Sequence, residues 1–447
     1  MTTELISNLF NFDPLATFMI AMISFVGTII TGFSFRYMSG DSQFNKFFRF
    51  IGLLVFSLII MVSTDDLFIF LATWSLSNYF LVKLMTHKPS WIAANASGVL
   101  TKKMHYLSFI LISSAFTLFY MATKTSSIKY INSNSYDSSF ISIALFFLLV
   151  AAMVQSAIWP FHKWLISSLN SPTPVSAIMH AGLVNGGGFL LARFAPLYLK
   201  SPKTLLIIFC IGLVTALIGT FWKLVQSDIK RMLACSTIAQ MGFMMMQCGL
   251  GLFSSAVAHL CWHGLFKAYL FLASGGAAQE KRIRLDCKQN KKFFVYAIIF
   301  GLIGSYFFLW TNGKDFTLYD TTLVPVLIAF IALSQFSFVM LRKKPFMRSS
   351  LVVIATCIIG AAYGFGVYAI EIFFDSMQLT QPQPIHPIHI LGMFLLITFW
   401  IIFLFICNKS YEEKVSELVV KLYVKAINSS QPDSKTITTH RNDYKYL

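Results

Sequence analysis

The sequence predicts an all-α polytopic membrane protein with about thirteen transmembrane helices. Of its 447 residues, 56% are hydrophobic and 12% are charged, and the mean hydropathy is +0.69. A soluble domain carries about 25% charged residues. The net charge of +17 does not indicate a nucleic-acid partner, because the Lys and Arg residues lie between apolar runs. Such residues are typical of cytoplasmic loops that face anionic membrane lipid.

Thirteen apolar stretches each approach the ~20 residues that a bilayer requires. They cover 14–34, 47–63, 67–84, 104–122, 139–157, 173–199, 204–224, 231–251, 252–275, 293–311, 321–341, 350–373 and 389–407.

Basic residues are concentrated in every second loop between these stretches. They are Arg36, Lys46, Arg49, Lys83, Lys88, Lys102, Lys103, Lys163, Lys230, Arg231 and the runs within 281–292 and 342–348. The alternate loops hold acidic or mixed charges, such as Asp65, Asp66, Glu371 and Asp375. The positive-inside rule then predicts an outside N-terminus and a cytoplasmic C-terminus in the cell inner (plasma) membrane.

The chain divides into a transmembrane domain, 1–407, and a C-terminal part, 408–447. Residues 411–426 combine Glu and Lys with Val and Leu at helical spacing, and the residues after them are polar. This pattern predicts an amphipathic helix on the cytoplasmic interface, followed by a loose tail.

Ionisable residues accumulate in the apolar stretch 172–275, where burying them in a membrane is expensive. They are His180, Arg193, Lys223, Asp228, Lys230, Arg231, His259, His263 and Lys267. His259, His263 and Lys267 follow one another at intervals of four residues, so a helix places them in one stripe. Neighbouring titratable groups on one face are the layout of a proton path. The sequence therefore predicts translocation of protons or another small ion.

Prolines and glycines predict irregular backbone near this stretch. Pro172 and Pro174 forbid a regular helix between them, so 160–172 is expected to form a surface or re-entrant segment and a helix to begin near Pro174. Gly186 and its two following glycines allow close helix approach or a local break. Asp228 is expected near a helix start, and Lys230 beside it is interpreted as a topology signal.

The sequence contains no pattern of an enzyme. The seven Cys residues include no CxxC pair, and no nucleotide loop, metal spacing or nucleophile–base arrangement is present. We therefore expect neither a catalytic site nor a cofactor in this chain.

Three sequence blocks resemble the antiporter-like membrane subunits of respiratory complex I and of Mrp antiporters. They are "SPTPVSAIMHAGLVNGGGFLLAR", "SDIKRMLACSTIAQMGFM" and "HLCWHGLFKAYLFLASG", and the resemblance is dense over 67–275. It implies a bundle of two inverted five-helix repeats, each with a broken helix, around a hydrated axis. His180, His259, His263 and Lys267 match members of that axis.

The chain departs from the family pattern at three charged positions. Ser75 stands where the family has a membrane Glu after a Trp, and Gln155 stands where it has a Lys. The predicted span 293–311 lacks the charge expected in the second broken helix. Neither Ser nor Gln titrates near pH 7, so neither can supply a charge there. The chain is also expected to lack two helices before the resemblance and the lateral helix at the C-terminus.

This shortened pattern resembles the membrane subunits of DAB-type inorganic carbon pumps. The resemblance implies a large soluble partner that contains zinc and resembles carbonic anhydrase. It also implies a central relay through Lys267, His263 and His259, with His180 as the link toward the first repeat. Lys223 is a candidate to substitute for a lost charge. Two alternatives stay open: an ion-translocating subunit of a complex I-like or Mrp-like assembly, and a non-conducting membrane anchor.

Overall fold

The computed structural model describes residues 9–134, 138–279, 291–313, 319–343, 349–408 and 417–437. Within these ranges the regular structure is helical, and the extended pairs are isolated β-bridges. The helices of the first half are α1 (Pro14–Tyr37), α2 (Phe44–Ser63), α3 (Leu67–Met85), α4 (Ile92–Thr123), α5 (Ile128–Ser133), α6 (Ser139–Gln155), α7 (Lys163–Ser167), α8 (Thr173–Ala181), α9 (Gly186–Arg193) and α10 (Ala195–Leu199). The remaining helices are α11 (Pro202–Val225), α12 (Ile229–Gly249), α13 (Phe253–Ala273), α14 (Lys291–Thr311), α15 (Leu323–Lys343), α16 (Ser349–Phe373), α17 (Pro387–Asn408) and α18 (Glu417–Ser429).

The helices correspond to the thirteen predicted spans. In the described residues, eleven helical segments are long and apolar enough to cross a membrane, and α8 with α9 forms one of them. The other two predicted spans are α6, with 17 residues, and α12, with 21. The prediction of a polytopic all-α membrane protein is confirmed.

The helical path is interrupted twice in the first half. After α6 ends at Gln155, the short α7 packs against the protein interior, with Trp164 and Leu165 fully buried, whereas Lys163 of the same helix is exposed. Helix α8 begins at Thr173 with Pro174 in its first turn, as predicted. A 3-10 turn, Leu183–Asn185, then separates α8 from α9 immediately before the glycines.

The second half differs from the expected repeat. Helix α14, the predicted counterpart of the broken helix, runs without interruption over Lys291–Thr311. Helices α14, α15 and α16 pack mainly on one another, whereas α1–α13 share one large apolar core. The inverted relation between the two halves stays a prediction.

The loops at one end of the bundle are tied together. The β-bridges pair Phe10 with Thr64, Asp66 with Ser127, Leu252 with Thr380, and Asp320 with Pro384. All lie in segments that the charge pattern assigns to the outer side. Asp66 also caps α3 by accepting from the backbone N–H groups of Phe68 and Ile69, so this acidic residue has a structural role.

The C-terminal segment 429–436 is bound to the bundle rather than loose, which corrects the prediction for these residues. Asn170 donates to the Thr436 carbonyl at 2.7 Å, and the Asp433 backbone N–H donates to Ser167. Trp222 donates to the Ser429 hydroxyl at 2.8 Å. The segment thereby joins the region around Ser167 and Asn170 to the end of α11. The predicted residues 411–416 and 438–447 lie outside the described residues.

Glycines bring the backbones of α11 and α12 into direct contact. A Cβ atom added at Gly212 would lie 2.3 Å from the backbone nitrogen of Met246, and one at Gly242 would lie 2.5 Å from that of Ala216. Helices in membranes use small residues in this way to gain close packing. The position of α12 therefore depends on the absence of side chains at this contact.

We predict that Gly242→Ala destabilises the protein by about 1–3 kcal/mol, because neither backbone can yield without separating the helices. Thermal unfolding of the detergent-solubilised protein measures the effect. Gly52→Ala is the matched control, since nothing lies within 4 Å of its added Cβ. Equal midpoints for the two variants would contradict this account of the packing.

We also predict that acid weakens the attachment of segment 429–436. His162 lies against Trp222, with ring centroids 4.3 Å apart, and its Nε2 is 3.3 Å from the Ser429 carbonyl. Burial lowers the pKa of His162, partly offset by the bond to Ser429. Since the unfolded chain then binds the proton more tightly, stability decreases as the pH falls below about 6.5. His162→Phe keeps the ring and removes the titration, so its unfolding midpoint should decrease less between pH 7.5 and 5.5 than that of the wild type. An identical decrease would refute the prediction.

Candidate ion-translocation site

Helix α13 carries the predicted stripe of ionisable side chains. It is continuous over Phe253–Ala273, so the four-residue spacing places His259, His263 and Lys267 on one face. The rings of His259 and His263 are nearly parallel, with centroids 6.0 Å apart. His263 is 5% exposed and Lys267 only 1%. The stripe is therefore directed into the bundle.

A chain of hydrogen bonds joins Lys267 to His180 across three helices. Lys267 Nζ donates to the Leu233 carbonyl at 2.8 Å, and Thr237 Oγ1 donates to the same carbonyl at 3.0 Å. His180 Nδ1 lies 3.0 Å from Thr237 Oγ1. Because the single hydroxyl proton of Thr237 is directed to Leu233, His180 Nδ1 is the donor in this contact. His180 Nε2 is then left as an acceptor.

Four buried ring nitrogens of this cluster are unpaired within the described protein. His180 Nε2, His259 Nε2 and both ring nitrogens of His263 have no hydrogen-bond partner within the described protein. No carboxylate of the described residues lies within ion-pair distance of Lys267. A buried, unpaired ammonium is costly in a membrane protein, and such groups mark ion paths.

The remaining predicted site residues lie outside this cluster. Asp228 caps α12 by accepting from the Arg231 backbone N–H at 2.8 Å, as expected of a residue at a helix start. Lys230 lines a separate cavity of about 370 Å³ beside Asp41 and His87. Lys223 is exposed near the end of α11. Its role as a substitute charge stays a prediction.

A second polar network surrounds Gln155 at the first interruption. The Gln155 amide donates to Asn78 Oδ1 at 3.1 Å and to the Leu183 carbonyl at 3.2 Å, and its oxygen lies 3.2 Å from His105 Nδ1. The position that has a Lys in the family pattern thus holds the centre of a neutral network. Ser75 does not join it, since its hydroxyl donates to Leu71 in the same helix.

Sequence analysis missed His105 and Asn78. The predicted span began at 104, which placed His105 at a membrane edge, whereas α4 begins at Ile92 and His105 is 5% exposed. The available signal was that His105 and Asn78 are polar residues within apolar stretches. Their meeting at Gln155 depends on contacts 50 and 77 residues apart in the chain.

Arg193 anchors the broken helix to the N-terminal helix. Its guanidinium forms an ion pair with Asp13, the N-cap of α1, and donates to the Val62 carbonyl at 2.6 Å. These bonds fix the end of α9. They explain why Arg193 is buried, at 5% exposed. Its burial therefore requires no role in the ion path.

The described residues contain no group of three or more His, Cys, Asp or Glu that could hold a metal ion. The expectation that this chain has no cofactor of its own stays a prediction.

A polytopic helical bundle with a buried line of His and Lys side chains defines an antiporter-like membrane protein. The family model described as "NADH:quinone oxidoreductase/Mrp antiporter, TM" matches residues 63–342. The chain belongs to this family, whose members are ion-translocating membrane subunits. A second model, the N-terminus of complex I chain 5, matches residues 6–48. The similarity thus extends beyond the predicted range 67–275 on both sides.

Individual relatives point to two kinds of assembly. The chain is 36% identical to a "Probable inorganic carbon transporter subunit DabB" from Bacillus anthracis, over 68% of this chain and 61% of the relative. It is 28% identical to the NADH-quinone oxidoreductase subunit L of Campylobacter jejuni, over 92% of this chain and 67% of the relative. The Mrp complex from Dietzia sp. DQ12-45-1b shares the fold, with a TM-score of 0.58, 21% identity, and coverage of 94% and 45% of the two chains. The chain spans about three-fifths of the length of the Bacillus relative.

We predict that Thr237→Val destabilises the protein by about 1 kcal/mol or more, because it leaves the buried Nδ1 of His180 without a partner. Thermal unfolding in detergent tests this prediction. Thr220→Val is the matched control, since the Thr220 hydroxyl bonds only to Ala216 in its own helix. A loss as large in the control would show that the link to His180 contributes nothing.

Proposed function

We propose that this protein is the membrane subunit of an energy-coupled inorganic carbon pump and conducts protons. The proposal depends chiefly on Lys267, which is 1% exposed, has no acidic partner among the described residues and is joined through Leu233 and Thr237 to His180. Relatives from Bacillus and Halothiobacillus are named as probable inorganic carbon transporter subunits. These names support inorganic carbon as the substrate of the pump.

The geometry supports a proton path more than a path for a metal cation. Imidazole and amine nitrogens exchange protons near neutral pH, whereas Na⁺-like hard cations are held by oxygen ligands. In the proposed path, His263 receives a proton from one neighbour on the stripe and passes it to the other. Lys267 holds the proton in one state and releases it in the next. Thr237 transmits the change in the protonation state of Lys267 to His180.

The first half of the bundle supports a role in coupling that differs from that of complex I. Ser75 and Gln155 stand where the family pattern has a Glu and a Lys, and Gln155 bonds to Asn78 and His105 instead of forming a charged pair. A carboxamide has no proton to release near pH 7. In our proposal the ion gradient is consumed through the α13 stripe and drives chemistry in a partner subunit.

The partner in this proposal is a large soluble protein that contains zinc and resembles carbonic anhydrase. The gradient would drive one-way hydration of CO2 to bicarbonate in that partner, and the zinc would belong to the partner alone. The assembly would lie in the inner (plasma) membrane, with the N-terminus outside and the C-terminus, including segment 429–436, on the cytoplasmic side.

Two alternatives rest on specific observations. A proton- or sodium-translocating subunit of a complex I-like or Mrp-like assembly is supported by the Campylobacter relative, which matches 92% of this chain. A non-conducting anchor is compatible with the neutral first half. The anchor does not explain why Lys267 is retained in the bundle, since burying a lysine without function is costly.

We predict that the chain, expressed with its partner subunit, restores growth in ambient air to a bacterium lacking carbonic anhydrase. Rescue should disappear with an uncoupler, which dissipates the proton gradient, and with Lys267→Ala, which interrupts the proposed proton path. Lys203→Ala is the matched control, because Lys203 is exposed at the start of α11 and should leave growth unchanged.

The other outcomes separate the alternatives. Sodium or pH tolerance conferred on an antiporter-deficient strain, without growth rescue, would support the complex I-like or Mrp-like alternative. Rescue that survives Lys267→Ala would support the anchor. Unchanged transport in Lys223→Ala would remove Lys223 from the path.

A further inference from the structure

The polar face of α13 continues beyond the predicted stripe. Ser255 precedes His259 by four residues in the same uninterrupted helix and is 6% exposed. It therefore lies one helical turn from His259, on the same face. The Ser255 hydroxyl donates to Glu371 Oε1 at 3.5 Å. Glu371 lies in the last turn of α16, at the end of the predicted span 350–373 that carries the outer-loop charges.

A small cavity lies at this contact. Its volume is about 20 Å³, and its lining includes Gln247, Ser255, Asn312, Tyr363 and Glu371. Gln247 is 1% exposed and Asn312 is 7% exposed, and the side-chain oxygen of each has no hydrogen-bond partner within the described protein. A space of this size holds about one water molecule. Buried amide oxygens that face such a space indicate a hydrated site.

We propose that Glu371 is the proton-exchanging group at the end of the α13 stripe, where the path meets the outer side. This inference rests on the proposed proton path. Glu371 lies two residues before the last residue of α16, at the end of the bundle that the charge pattern assigns to the outside. A proton that leaves His259 passes one turn along α13, by way of the Ser255 hydroxyl, and is bound by the Glu371 carboxylate.

The composition of the stripe favours a proton over a sodium ion. Glu371, Gln247, Asn312 and Ser255 together supply oxygen ligands that would also suit a sodium ion. The next groups inward are the imidazoles of His259 and His263, which carry protons and do not hold sodium. Among the described residues, Glu371 and Tyr363 are the titratable groups that line the cavity, and a carboxylate exchanges protons far more readily than a phenol near neutral pH.

The test uses the complex of this chain with its partner subunit in liposomes, with proton uptake driven by an imposed pH gradient and followed by a pH-sensitive dye. Glu371→Gln preserves size and hydrogen bonding but cannot exchange a proton, so uptake should decrease by about tenfold or more. Glu371→Asp retains the carboxylate and should keep most of the uptake. Asp375→Asn is the matched control, because Asp375 is an exposed carboxylate four residues further along the chain and should change nothing.

Each outcome bears on a separate claim. Wild-type uptake in Glu371→Gln would overturn the role of Glu371 while leaving the proton path intact. A wild-type complex that carries no protons would overturn the proposed function itself. Uptake of sodium that requires Glu371 would overturn the assignment of the ion. If Glu371→Gln fails to assemble, Ser255→Ala removes only the hydroxyl; slower uptake supports the inference and an unchanged rate refutes it.

Discussion

The cost of placing Lys267 inside a membrane protein is the constraint on which the rest of the site depends. Its ammonium is stabilised by the carbonyl of Leu233, which also accepts from Thr237. That carbonyl is positioned by α12, and α12 is positioned by its close contact with α11 at Gly212 and Gly242. Small residues far from the stripe therefore determine whether the buried amine keeps its partner.

Interrupted helices create a second requirement, since their freed carbonyls must be paired within the protein. At the turn before α9, the Leu183 carbonyl accepts from Gln155 and the Val184 carbonyl accepts from Ser156. A carboxamide meets this demand and bonds to Asn78 and His105 at the same time. Gln155 thus has a structural reason to occupy a position where the family pattern has a lysine.

Periodicity and proline placement predicted the features that depend on local chemistry. The stripe on α13 follows from intervals of four residues, and the start of α8 follows from Pro174. The network around Gln155, the bonds of Ser429 and the contact of Ser255 with Glu371 join residues that are 50 to more than 200 positions apart. No local pattern encodes such contacts, because the partners are brought together only by the packing of the whole bundle.

The segment that sequence analysis treated as a loose tail is joined to the helix that holds the site. Arg231, in the first turn of α12, donates to Gln431 at 3.0 Å, and Leu233 follows two residues later. Segment 429–436 also bonds to Asn170, in the segment between α7 and α8. The segment thus bonds to α12 two residues before the carbonyl that accepts the hydrogen bond from Lys267. Segment 429–436 and the buried amine of Lys267 are therefore joined through a single helix, α12.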